Sequence, residues 1–262
     1  MKCLTLHYQE YGDRSATLIL FIHGGGVSGW MWDKQIQHFT HYHCIVPILP
    51  EHGLNNTDIN FTIKGSAEEL VKLVEEKASG KKTILIGFSL GAQVIIQMLS
   101  MKPNLIDIAI INSALVKSLP LAINLIKPTI TLTYPLIKKR WFSKLQAKTL
   151  YVKEGYFEKY YEESRQIKPE TLVRVLKENM SFKIPKNFGE ANGKMLVTVG
   201  EKENAIMINS AKAIIKANSN CEGVIVPNIG HGASLAMPDF FNHMIEAYIQ
   251  KRSLPKECKL LR

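Results

Sequence analysis

The 262-residue sequence has no uninterrupted apolar run of about 18 residues, the length a transmembrane helix needs, so no stable membrane insertion is expected. Cysteine is scarce. The four thiols, Cys3, Cys44, Cys221 and Cys258, form no CxxC pair and none is close in sequence to another. This spacing argues against a disulfide framework or a cysteine-held metal, and predicts free thiols in a reducing cytoplasm. The opening residues Met1 to Tyr8 lack the apolar segment of a secretory signal. Between Lys117 and Lys186 there is no aspartate at all, only 6 Glu against 15 Lys and Arg. A phosphate-binding loop is missing too, because Gly24-Gly25-Gly26 lacks the G-x-x-x-x-G-K-[ST] spacing.

Hydrophobic residues make up 46% of the chain, enough for one large domain or one domain carrying an insertion. Continuous apolar runs stand at Leu18–Ile22, Ile45–Leu49, Ile84–Ile86, Met195–Val199 and Val224–Val226, and Ile106–Ile111 is interrupted only by Asp107. Unbroken rather than alternating runs suit strands buried on both faces, as in a parallel sheet. Helical stretches lie between them: Ser66–Glu76 behind an apparent Ser66-Ala67-Glu68-Glu69 capping box, Ser89 towards Ser100, Ala205–Ala217 and Asp239–Gln250. This alternation predicts an α/β fold, with a mostly parallel central sheet and helices on both faces. The rhythm breaks over 116–185, where Pro120, Pro128 and Pro135 punctuate helical segments, one of them Pro169–Met180. Residues 1–115 and 186–262 read as the core, and 116–185 as a helical insertion.

The strongest chemical motif is Gly87-Phe88-Ser89-Leu90-Gly91, between a predicted strand and a predicted helix. A serine hydroxyl becomes a useful nucleophile when it is exposed, aligned and next to a base. A sharp strand-to-helix turn lifts it above the sheet edge, and that crowded turn needs small residues two positions to either side, as Gly87 and Gly91 provide. With His23-Gly24-Gly25-Gly26 before it and Gly230-His231-Gly232 after it, the whole chain resembles the α/β-hydrolase fold superfamily, in its capped serine-hydrolase, carboxylesterase-like branch.

That resemblance implies a set of roles. Ser89 is the nucleophile. The Leu90 N–H and the Gly25 N–H form the oxyanion hole, with Gly26 as the alternative second donor. His231 is the base, set apart from the other seven histidines by its place in a loop late in the chain. The acid falls in Gly200-Glu201-Lys202-Glu203-Asn204, where the family usually has Gly-x-x-Asp. This maps it onto Glu203, with Glu201 as the alternative. The order Ser89, Glu203, His231 agrees with the family's order. No cofactor is implied, and His41-Tyr42-His43 without further ligands is a weak metal signal.

Two residues depart from the family's Asp-Leu-Pro-Gly-His-Gly: Ile48 replaces the aspartate and Glu51 a glycine in Ile48-Leu49-Pro50-Glu51-His52-Gly53. Ser89 also argues against haloalkane dehalogenases and epoxide hydrolases of this fold, which use an aspartate as nucleophile.

The resemblance further implies that 116–185 caps the site. Its Leu121, Leu125, Trp141, Phe157 and Tyr160 read either as pocket lining or as packing onto the core. Lys138-Lys139-Arg140-Trp141-Phe142-Ser143-Lys144 reads as a solvated helix face, with a membrane surface or an anionic ligand as alternatives. The formal charge is +10, and nearly all of it falls between Lys117 and Lys186, so the expected partner is a small molecule, anionic or carrying an apolar acyl group. No motif supports nucleic-acid binding. Three functions fit: hydrolysis of a small carboxylic ester through an acyl-enzyme, the same triad used for C–C or thioester hydrolysis or a lyase step, and a non-catalytic ligand-binding protein of the same fold.

Overall fold

The computed structural model describes residues 6–53 and 59–261. The expectation of a free thiol at Cys3 therefore lies outside the described residues, while Cys44, Cys221 and Cys258 are unpaired thiols. Eight strands form one sheet: β1 (Tyr8–Tyr11), β2 (Leu18–Ile22), β3 (His43–Pro47), β4 (Thr83–Phe88), β5 (Ile108–Asn112), β6 (Lys194–Gly200), β7 (Cys221–Val226) and β8 (Lys259–Leu260). Their order is β1-β3-β2-β4-β5-β6-β7-β8. Only the two outer pairings, β1 with β3 and β7 with β8, are antiparallel. The short edge strands β1 and β8 carry no long apolar run and escaped the sequence reading.

The helices among the described residues are α1 (Asp33–His38), α2 (Ile63–Ala78), α3 (Leu90–Met101), α4 (Pro120–Ile137), α5 (Arg140–Thr149), α6 (Glu154–Gln166), α7 (Pro169–Ser181), α8 (Ala205–Ala217), α9 (Ala233–Ala236) and α10 (Pro238–Ile249). Strand β2 shows why its sequence is apolar throughout. Leu18, Leu20 and Ile22 enter the core shared with α2, α3 and α8, and Ile19 and Phe21 enter the core shared with α10 on the other face. The expected capping box is corrected: α2 starts one turn earlier, capped by Thr62, whose hydroxyl accepts from the Gly65 N–H, and Ser66 is buried inside the helix.

Helices α4 to α7 fill the connection between β5 and β6. Pro128 and Pro135 do not end α4, which runs through both to Ile137. Two of the insertion's own carboxylates help tie it to the rest of the chain. Glu163 of α6 accepts from the Ser28 hydroxyl at 2.7 Å and the Trp30 indole N–H at 2.9 Å. Glu178 of α7 accepts from the Ile63 N–H at 2.8 Å.

Candidate active site

The C-terminal ends of parallel strands carry the candidate residues, where α/β sheets bind their ligands. Ser89 follows β4 and precedes α3. Its backbone sits at φ 53°, ψ −110°, a conformation that costs energy and is retained where the surroundings impose it. The flanking glycines are sterically required. A Cβ on Gly87 would lie 2.7 Å from the Gly91 carbonyl oxygen, and one on Gly91 would lie 2.3 Å from that of Ile22. The turn thus packs directly against the end of β2, and Ser89 stands at the N-terminal end of α3, whose first N–H groups have no partner within the helix.

His231 lies in the loop after β7. Its Nε2 is 3.0 Å from Ser89 Oγ and its Nδ1 is 2.9 Å from Glu203 Oε2. The ring rests on Phe88, with centroids 4.8 Å apart. Glu203 follows β6 and is almost wholly buried. Its second oxygen, Oε1, accepts from the Ser113 hydroxyl at 2.6 Å and from the Gly200 N–H at 3.0 Å. Burial pushes the Glu203 pKa up, but the hydrogen bonds from His231, Ser113 and Gly200 outweigh it and hold the carboxyl below its ordinary value. Ser89, His231 and Glu203 are therefore brought into one hydrogen-bonded chain. Glu201 is not part of it, because its carboxylate binds the Lys259 ammonium and the Asn228 N–H.

Gly25 lies beside the turn: a Cβ there would be 3.5 Å from Leu90 Cδ2 and 3.6 Å from Val175 Cγ1 of α7. Gly26 has a φ of +74° and no neighbour within 4 Å of a would-be Cβ. His23 is fully buried, with Nδ1 2.8 Å from the Gly24 carbonyl and Nε2 accepting from the Leu49 N–H at 3.0 Å. Burial, aided by nearby His52, pushes its pKa down to about 3, so the ring is neutral and braces the loop.

A cavity of about 450 Å³ opens over the hydroxyl, lined by Ser89, His231, Leu115, Asn179, Lys202 and Met207 among others. A second, of about 320 Å³, lies inside the insertion next to Gly26 and is walled by Ile137, Leu150, Tyr160, Ile167 and Leu172. Tyr160 and Phe157 are buried as expected. Leu121, Leu125 and Trp141 are not: they stand largely exposed to solvent.

Two supporting residues escaped the sequence reading. Ser113 stands one residue beyond β5 with a φ of 55°, and only the fold brings it to Glu203. Gln93 of α3 donates to the Leu115 and Asn179 carbonyls and accepts from the Asn179 amide, fastening α7 above the site.

A parallel α/β sheet with a serine at a tight strand-to-helix turn, hydrogen-bonded to a histidine and through it to a carboxylate, defines a known class of protein. The chain belongs to the alpha/beta hydrolase family, whose model matches residues 19–244. It is 26% identical over 101 residues to lipase LipV of Mycobacterium tuberculosis, 38% of each chain. It is 32% identical over 77 residues to a putative 2-succinyl-6-hydroxy-2,4-cyclohexadiene-1-carboxylate synthase of Haemophilus influenzae, 29% of this chain and 31% of that one. The matched stretches span only about a third of the curated relatives' length, between 31% and 38%. Among solved structures it is similar to MenH of S. aureus, with a TM-score of 0.75 at 17% identity over 94% of this chain and 98% of that one. At that identity the likeness is one of fold.

Proposed function

We propose that the protein is a serine hydrolase that cleaves a small carboxylic ester through an acyl-enzyme intermediate. The observation that carries this reading is the continuous hydrogen-bonded path from Ser89 Oγ through His231 to Glu203. Ser89 Oγ attacks the ester carbonyl while His231 Nε2 takes its proton. The oxyanion is held by the N–H groups of Leu90 and Gly25, each donor of this kind being worth about 3 kcal/mol in the transition state. Collapse expels the alcohol, which takes the proton from His231. Water then attacks the acyl-enzyme with His231 again as base, releasing the acid and restoring the serine. Glu203 holds the imidazole in the tautomer that presents Nε2 to the hydroxyl, and stabilises the imidazolium.

Residues 116–185 serve as a cap in this reading, supported by Val175 lying against Gly25 and by Asn179 in the wall of the Ser89 cavity. The apolar cavity beside Gly26 suits an acyl chain, and Lys202 suits a substrate with a negative charge on the open side. The esterase and lipase names among the relatives agree with ester chemistry.

The similarity to a putative cyclohexadiene-carboxylate synthase favours a second reading, in which the same histidine moves protons in a C–C bond or lyase step. A panel of chromogenic esters separates the two. Turnover of short- to medium-chain esters that is lost in Ser89→Ala supports the hydrolase. Background turnover despite a reactive Ser89 favours the second reading.

A further inference from the structure

Helix α4 is apolar on both sides. Ile126, Ile130 and Ile137 are buried, as an amphipathic helix requires. The opposite side is Leu121, Leu125, Pro128, Leu132 and Pro135, all exposed, and at 3.6 residues per turn these fall within about 80° of arc. Leu121 is 84% exposed and Leu132 79%. On the neighbouring α5, Trp141 and Leu145 are one turn apart and also exposed. Five of the eight most exposed large hydrophobic side chains among the described residues stand on these two helices. Scattered single apolar residues are ordinary on a protein surface, but a contiguous stripe marks a surface that something covers.

The charge around the stripe is one-sided. Residues 117–153 contain eight basic side chains and no acidic one, and all eight are exposed: Lys117, Lys127, Lys138, Lys139, Arg140, Lys144, Lys148 and Lys153. Among the described residues only Arg140 has an ion-pair partner, Glu158. A second copy of the chain would bring the same positive field against this one and be repelled. An anionic bilayer surface supplies both missing complements, hydrocarbon for the leucines and diffuse negative charge for the lysines, and tryptophan favours its boundary. No helix among the described residues is long and apolar enough to cross a membrane, so the contact is peripheral.

We infer that the exposed face of α4 and α5 docks the protein onto anionic lipid surfaces, with Leu121, Leu125, Leu132 and Trp141 entering the interface and the surrounding lysines holding it to the headgroups. The docking does not depend on the catalytic reading.

The protein carries its own probe. Of its three tryptophans, Trp30 and Trp32 are buried and only Trp141 is exposed. Vesicles of phosphatidylcholine containing phosphatidylserine should shift tryptophan emission to the blue, and brominated lipid should quench it. Vesicles of phosphatidylcholine alone should do neither, and the shift should vanish in Trp141→Phe. Co-sedimentation with the anionic vesicles should weaken by about tenfold or more in Leu121→Gln/Leu132→Gln and on raising salt from about 0.05 to about 0.5 M. Both substitutions are at exposed positions, and an unchanged thermal midpoint shows that the variant is folded. Failure to bind anionic vesicles at low salt overturns the inference. So does binding that the leucine substitutions leave unchanged, or tight capture of a soluble acidic peptide by this face in preference to the vesicles.

Discussion

Glu51 and Arg174 form a two-pronged ion pair, with Nε 2.9 Å from Oε2 and Nη2 3.0 Å from Oε1, joining residues 123 positions apart. The same carboxylate accepts from the Phe61 N–H at 2.7 Å and the Thr171 hydroxyl at 2.8 Å. Burial raises the Glu51 pKa, and the Arg174 hydrogen bonds lead the contacts that hold it below its usual range. This explains the departure at a position that is often glycine in the family. Glu51 keeps the left-handed backbone, at φ 60°, and uses its side chain to fasten α7 over the Gly25 loop. Glu51→Ala should cost about 2–3 kcal/mol, because it leaves a guanidinium and two further donors without their acceptor. Urea unfolding of the variant checks this, and a change below about 0.5 kcal/mol would show the pair to be inconsequential.

Stability should fall with acid in two stages. His23 binds no proton in the folded protein until about pH 3, whereas the unfolded chain binds one near pH 6.5. Its contribution is thus intact above pH 6.5 and is lost as pH falls, at roughly 1 kcal/mol per unit. His52, fully buried and also shifted down, acts in the same direction. Glu51 and Glu203, whose pKa values are lowered from 4.5, add a second loss that begins only near that pH. Unfolding free energies between pH 7 and pH 4 test the first stage. A flat profile above pH 5, or a His23 NMR signal that titrates near pH 6, would contradict it.

Glu203→Gln should preserve the fold but allow the imidazole to turn or adopt the wrong tautomer. Catalysis with an activated ester should fall roughly 10³- to 10⁴-fold in kcat. Ser113→Ala removes one of two donors to the distal carboxylate oxygen and should cost about tenfold. Equal kcat for wild type and Glu203→Gln would remove Glu203 from the mechanism.

Gly91→Ala places a methyl 2.3 Å from the Ile22 carbonyl oxygen and 2.6 Å from that of His23, against backbone that has no room to yield. We expect a loss of about 3 kcal/mol or more. Gly25→Ala meets Leu90 Cδ2 at an ordinary 3.5 Å and should fold normally. Paired thermal melts check the contrast, which equal midpoints would contradict.

The main strands and helices were legible because burial on both sheet faces leaves unbroken apolar runs and because α8 and α3 are bounded by clear punctuation. The meeting of Ser89, Glu203 and His231 could be anticipated because each follows a predicted strand in a loop containing glycine, in the order that the resembling family uses. Ser113, Gln93 and the partnership of Glu51 with Arg174 could not, since each depends on side chains meeting across the fold with no local spacing to betray them. The continuation of α4 through two prolines was hidden for a different reason. Local propensity argues for a break at each proline, and packing of Ile126, Ile130 and Ile137 on the neighbouring helices overrides it.

In the proposed reaction Ser89 is the nucleophile, activated by His231. Reaction of the full chain with a fluorophosphonate, followed by peptide mass mapping, tests it most directly. One covalent adduct is expected, on the peptide containing Ser89, absent in Ser89→Ala and formed far more slowly in His231→Ala. An adduct on another residue, or no adduct on folded protein, would contradict it.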